Sequence, residues 1–170
     1  MQLIPKNIER LHQYWQGLAG GAVPERALFH IEDVLPLLPY LILCDFEFDP
    51  FRVHYRLSGT RVDQMTSMNL AGRYLDEFAG GAYAKAVVEM QGYYEAVSRT
   101  GIPKIWNYPW AGDNPKLKVI WAGIFPLKVD GVITQCVAIE DYGELNRSDV
   151  DYLAPDDPQA RNDWGKLHNG

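Results

Sequence analysis

Between Gly59 and Gly101 the sequence stops alternating, and this interruption limits the fold more than any other feature of the chain. Two strand-like runs precede it, LILCDFEF and FRVHYRLS, joined by the turn pair Asp49-Pro50. In the second run Phe51, Val53, Tyr55 and Leu57 face one way, while Arg52, His54, Arg56 and Ser58 face the other. Three more strand candidates follow it: IPKIWNYPW, KLKVIWAGIFPL and GVITQCVAIED, with Asp130-Gly131 as a hairpin turn between the last two. The interruption itself is helical. A polar stretch runs from Gly59 to Gly72, and GAYAKAVVEMQGYYEAVSRTG then sets Tyr83, Val87, Met90, Tyr94 and Val97 along one helical face. Gly59 and Gly72 read as points where the chain leaves the strand and turns again, because glycine tolerates positive φ. Strands grouped on either side of helices, rather than alternating with them, predict an α+β fold with an antiparallel sheet.

The N-terminal segment carries Ile4, Ile8, Leu11, Trp15 and Leu18 at helical spacing and ends at Gly20-Gly21. A lone helix of this length is marginal in water, so it must dock on the open sheet face or on a partner. Pro24, Pro36 and Pro39 then punctuate a linker holding one short helix, IEDVLPLL. A chain of 170 residues suits one domain. Residues 1–145 are read as that domain, and the polar stretch 146–170 as a loosely ordered tail in which only Trp164 suggests a docking contact.

A formal net charge of −6 and the lack of a Lys/Arg run argue against nucleic-acid binding. Cys44 and Cys136 sit in apolar runs and read as reduced core thiols. The start resembles no signal peptide, and no apolar run approaches the ~18–20 residues of a membrane span, so a cytoplasmic protein is expected. There is no CxxC or HExxH pattern for a metal. The aromatic set Tyr55, Trp106, Tyr108, Trp110 and Trp121 reads as core or as pocket wall. Alternation puts Trp106, Tyr108 and Trp110 on one face of the third strand, and Leu117, Val119, Trp121 and Phe125 on one face of the fourth. An acid/base site would have to pair Asp63 or Asp76 with Tyr74.

Six pieces carry a family resemblance through their order and spacing: YWQGLAGG, PER at Pro24 to Arg26, LLPYLILCDFE, YRLSGT, NLAGRYLDE and FPLKVDG. From about Leu11 to Tyr142 the chain resembles the bacterial, mainly alphaproteobacterial, PAS-like family of single-domain proteins. The resemblance implies a five-stranded antiparallel sheet with a helical crossover on one face and an N-terminal flanking helix. It also implies a stand-alone sensory or signalling module that binds a small apolar or aromatic molecule between crossover and sheet. Output would pass through a protein partner, or a homodimer formed through the N-terminal helix. The ligand-binding candidates are Tyr55, Leu57, Met65, Tyr74, Phe78, Tyr83, Val87, Trp106 and Trp121. No catalytic residue, metal or cofactor is expected. A haem sensor of this type would place an axial histidine on the crossover, yet His12, His30, His54 and His168 all lie outside it. A flavin photosensor would place a cysteine there, and there is none. A sensor predicts a cavity of a few hundred cubic ångströms. The alternatives are an interaction adaptor with a filled core and an exposed apolar patch, or a small enzyme with a perturbed carboxylate in the cavity.

Overall fold

Helix α1 (Lys6–Leu18) leads through a short 3₁₀ turn (Arg26–Leu28) and a longer 3₁₀ segment (Ile31–Tyr40) into β1 (Leu41–Glu47) and β2 (Arg52–Ser58). The crossover follows as α2 (Thr60–Thr66), a 3₁₀ turn (Leu75–Phe78) and α3 (Ala84–Thr100), before β3 (Lys104–Pro109), β4 (Val119–Val129) and β5 (Val132–Asp141) complete the sheet. The structure, a computed structural model, describes residues 4–81, 84–109 and 119–141. Tyr83, Trp110, Leu117, His168 and the tail 146–170 lie outside those residues. The sheet has five strands in the order β2-β1-β5-β4-β3, every pair antiparallel. This is the expected α+β architecture. The segment IEDVLPLL is 3₁₀ rather than α because Pro36 and Pro39 cannot donate the bonds an α-helix needs there. No helix among the described residues is long and apolar enough to cross a membrane.

Both faces of the sheet are covered. On one, Ile42, Cys44, Phe46, Val53, Tyr55, Ile124 and Ala138 pack with Val62, Leu70, Leu75, Val87, Tyr94 and Val97 of the crossover. On the other, Ile8, Leu11 and Trp15 of α1 pack with Phe29, Leu37, Phe125, Leu127, Val137 and Ile139. Double coverage explains why the centre of β4 reads as an unbroken apolar run, since each residue there has a core to enter whichever way it points. The indole N–H of Trp15 donates to the Pro126 carbonyl at 2.7 Å, which pins α1 to β4. The apolar stripe of α1 is thus taken up by the chain's own sheet, leaving only the helix's outer face for a second protomer.

Strand β2 breaks its own alternation. Cys44 pairs with Tyr55 but Leu43 pairs with Leu57, so Arg56 is one residue too many and forms a bulge. Leu57 is turned away from the crossover face that Tyr55 enters, because a one-residue slip reverses every side chain beyond it. The outer edge of β2 does not stay open. The Tyr55 amide donates to the Arg73 carbonyl, and the Gly72 amide donates to the Tyr55 carbonyl, each at 2.8 Å. Residues 72–74 therefore lie along this edge, with Tyr74 bridged to His54.

The two glycines expected to steer the crossover do so by different means. Gly72 has φ +83°, the left-handed conformation the sequence suggested. Gly59 has φ −67°, which any residue can adopt. Its requirement is space: a Cβ there would overlap the Pro39 carbonyl and the Leu38 oxygen of the 3₁₀ segment. Backbone cannot yield as a side-chain tip can, so Gly59→Ala should cost about 3 kcal/mol, the upper end for overpacking. Gly72→Ala should cost only about 1 kcal/mol for its left-handed backbone. Urea midpoints of the two variants check this, and equal losses would remove close approach as the reason for Gly59.

Candidate functional site

The crossover does not pack flush on the sheet. Between them lies a cavity of about 80 Å³, and its lining includes Tyr55, Met68, Leu70, Leu75, Phe78, Val87 and Met90, with Tyr108 and Glu140 supplying polar atoms. The rotation of the helices decides which residues reach it. Val62 of α2 enters the core, and Thr66, one turn on, reaches the cavity. On α3, Val87 and Met90 line the cavity and Tyr94 continues the same face into the core.

The polar side is small and specific. Tyr108 donates its hydroxyl to Glu140 Oε1 at 3.0 Å, and Glu140 is only 8% exposed. The Tyr55 hydroxyl has no hydrogen-bond partner among the described residues. Burial, together with nearby Cys44 and Glu140, pushes the Tyr55 phenol well above its ordinary pKa, so it remains a neutral donor. A buried phenol with an unused O–H is a group a ligand can satisfy. Cys44 and Cys136 are free, buried and directly opposite one another on β1 and β5. Burial and the neighbouring Cys44 raise the Cys136 thiol pKa well above its usual value. No group of metal-ligating residues occurs among the described residues.

Of the candidates drawn from the sequence, Tyr55, Phe78 and Val87 line this cavity. Trp106 is beside it rather than in it, packed on Tyr93 at 4.9 Å between ring centroids and stacked on Tyr108 at 6.3 Å. Met65 is buried on α2 but one position short of the cavity-facing Thr66. Three candidates are elsewhere. Leu57 is reversed by the Arg56 bulge and lines a groove on the opposite face. Trp121 also faces the α1 side, since β4 sends Ile120 and Ala122 toward the strand face of Trp106 and Tyr108. Tyr74 sits opposite His54 on the β2 edge, so its ring turns outward, 4.8 Å from His54, while the next residue, Leu75, turns in.

Tyr74 belongs instead to a clasp that holds the crossover to the sheet. Arg52 makes a two-pronged bond to Asp76, Nε to Oδ2 at 2.7 Å and Nη2 to Oδ1 at 2.8 Å, with its guanidinium 3.7 Å above the Tyr74 ring. The Tyr74 hydroxyl donates to Glu47 Oε2 at 2.5 Å, and its amide donates to Glu77 in a capping box. Asp63 accepts from the Ser58 hydroxyl at 2.5 Å. The acid/base pairing of Tyr74 with Asp63 or Asp76 is therefore not assembled: each of the three is committed to a different neighbour. Met68, Leu70, Leu75, Met90 and Glu140 were missed as cavity residues. Glu140 had a readable signal, an acidic side chain at the end of the apolar run VAIE.

A family model described as a PAS domain matches residues 4–105. The match spans α1, the first hairpin and the whole crossover, and ends inside β3. A search of curated proteins finds no match.

The Arg52 bond holds the Asp76 carboxyl below its ordinary pKa. A lowered folded-state value means that the bond stabilises the fold fully above the unfolded carboxylate value, about pH 4, and fades as pH falls through the lower folded value. Asp76→Asn should therefore be less stable than wild type at pH 7, with the gap closing as pH falls through the lowered folded value. Urea midpoints from pH 2 to 7 test this; a gap independent of pH would mean the carboxylate charge is not what holds the clasp.

Proposed function

The chain belongs to the PAS-domain family, and we propose that this sensory and signalling module reads out a small apolar or aromatic molecule held between crossover and sheet. The observation that carries the reading is the cavity itself: apolar on most sides, yet furnished with the unused Tyr55 hydroxyl and the Tyr108–Glu140 pair. Its volume, about 80 Å³, is well below the few hundred expected of a sensor. An engineered void of about 150 Å³ is enough for benzene. The ligand is accordingly of single-ring size or smaller, and a ring enters by displacing Met68 and Met90, unbranched side chains that repack at little cost. One hydrogen-bonding atom on the ligand would meet Tyr55 or Glu140.

Binding would favour whichever packing of crossover and sheet fits the ligand better, in proportion to its affinity for each. We place the output on a protein partner or a second protomer meeting the outer face of α1. The module acts by binding rather than catalysis. A cytoplasmic setting suits its two unbridged thiols. A filled-core adaptor is the second reading, favoured by the small void and by the exposure of Val88 and Ile102, 70% and 67%.

Phenol and toluene are suitable probes, matched in size and differing in one hydroxyl. Phenol should raise Tm and shift the NMR signals of Tyr55 and Val87, with toluene binding about tenfold more weakly. Val87→Trp, which fills the cavity, should abolish both effects. If neither probe perturbs those signals at millimolar concentration, the adaptor reading takes over.

A further inference from the structure

The Arg56 bulge has a second effect on the opposite face of the sheet, beyond the reach of α1. There Arg26, Leu43, Arg56, Leu57, Leu127 and Gln135 line a groove of about 460 Å³, within the usual range for small-molecule sites. In regular alternation only one of Arg56 and Leu57 could face this groove; the bulge brings both to it. Arg26 comes from the PER stretch, and the structure shows what that stretch does. The Pro24 carbonyl accepts from the Lys128 amide at 2.9 Å, and Glu25 Oε1 accepts from the Gly131 amide at 2.9 Å. Proline and glutamate thus fasten the segment to the β4–β5 hairpin, and the arginine is carried over the groove.

Neither guanidinium is used up. Arg26 gives one N–H to the Phe29 carbonyl at 2.8 Å, and its other N–H groups have no partner among the described residues. Arg56 reaches Asp45 only at 3.4 and 3.5 Å, too long for a strong charge-assisted bond. Asp45 is the negative neighbour to be counted; it already accepts from Gln135 at 2.8 Å and lies 3.8 Å from His54 Nδ1. The lining holds two arginines and no carboxylate, in a chain whose formal net charge is −6. Beneath the arginines the walls are Leu43, Leu57 and Leu127, which an inorganic anion could not cover.

We infer that this groove binds a small organic acid, its carboxylate on Arg26 and Arg56 and its apolar body on the three leucines. The planar arginine fork matches a carboxylate, and the leucine floor selects acids with a hydrocarbon chain or ring. The site is separate from the crossover cavity.

Calorimetric titration of the full chain with octanoate, octan-1-ol and inorganic phosphate tests the inference. Octanoate should bind, octan-1-ol at least about tenfold more weakly, and phosphate not at all. Arg56→Gln, at a side chain 57% exposed, should weaken octanoate about tenfold. Arg26→Gln should do the same, and Val87→Trp in the crossover cavity should leave octanoate binding unchanged. Octan-1-ol binding as tightly as octanoate, wild-type affinity in Arg56→Gln, loss of octanoate in Val87→Trp, or no octanoate binding would each overturn it.

Discussion

The pairing of β1 with β5 is the constraint on which the rest of the structure depends. Residues 41–45 meet residues 135–139 in the middle of the sheet, bringing together the first and last strands of the fold. Each flank of the sheet hangs from this seam: β2 with the crossover edge on one side, β4 and β3 on the other. The register is held from both faces, because a slip of one residue would exchange Val137 and Ile139 with Cys136 and Ala138 between the two cores.

From that seam the crossover gains a floor, and its attachments explain why a space remains above it. Gly59 lets the chain pass against the 3₁₀ segment, the backbone of residues 72–73 lies along the edge at Tyr55, and Arg52 grips Asp76. These contacts fasten the near side of the crossover, while α3 crosses the far side on Val87, Tyr94 and Val97. Large side chains held at both ends leave a gap between. Tyr108 of β3 and Glu140 of β5 bring polar atoms into it.

The two faces are one strand thick apart. Ile124 packs under the crossover and its neighbour Phe125 packs under α1, beside Trp15 and His12. A shift of β4 caused by a molecule on one face must therefore be accommodated by the packing on the other, since close-packed interiors do not deform freely.

Much of this was legible in residue order. The strand–helix–strand grouping set the α+β class, the spacing of Ile8, Leu11 and Trp15 set an amphipathic first helix, and Val87 to Val97 set the inner face of α3. These follow from local periodicity, which depends only on neighbours along the chain. Periodicity failed at Arg56, where an extra residue reversed Leu57. Elsewhere it could not say which partner a face would meet: the edge pairing with His54 turned Tyr74 outward, and the β4 face that carries Trp121 and Phe125 met α1 rather than the crossover. Gly59 was marked by the sequence but for the wrong reason, because close approach to Pro39 exists only once the 3₁₀ segment has folded against it. The sequence by itself determined which residues each element could bury. Only the tertiary structure decided which of them meet around a cavity, since strand register and crossover docking are set by contacts between residues far apart in the chain.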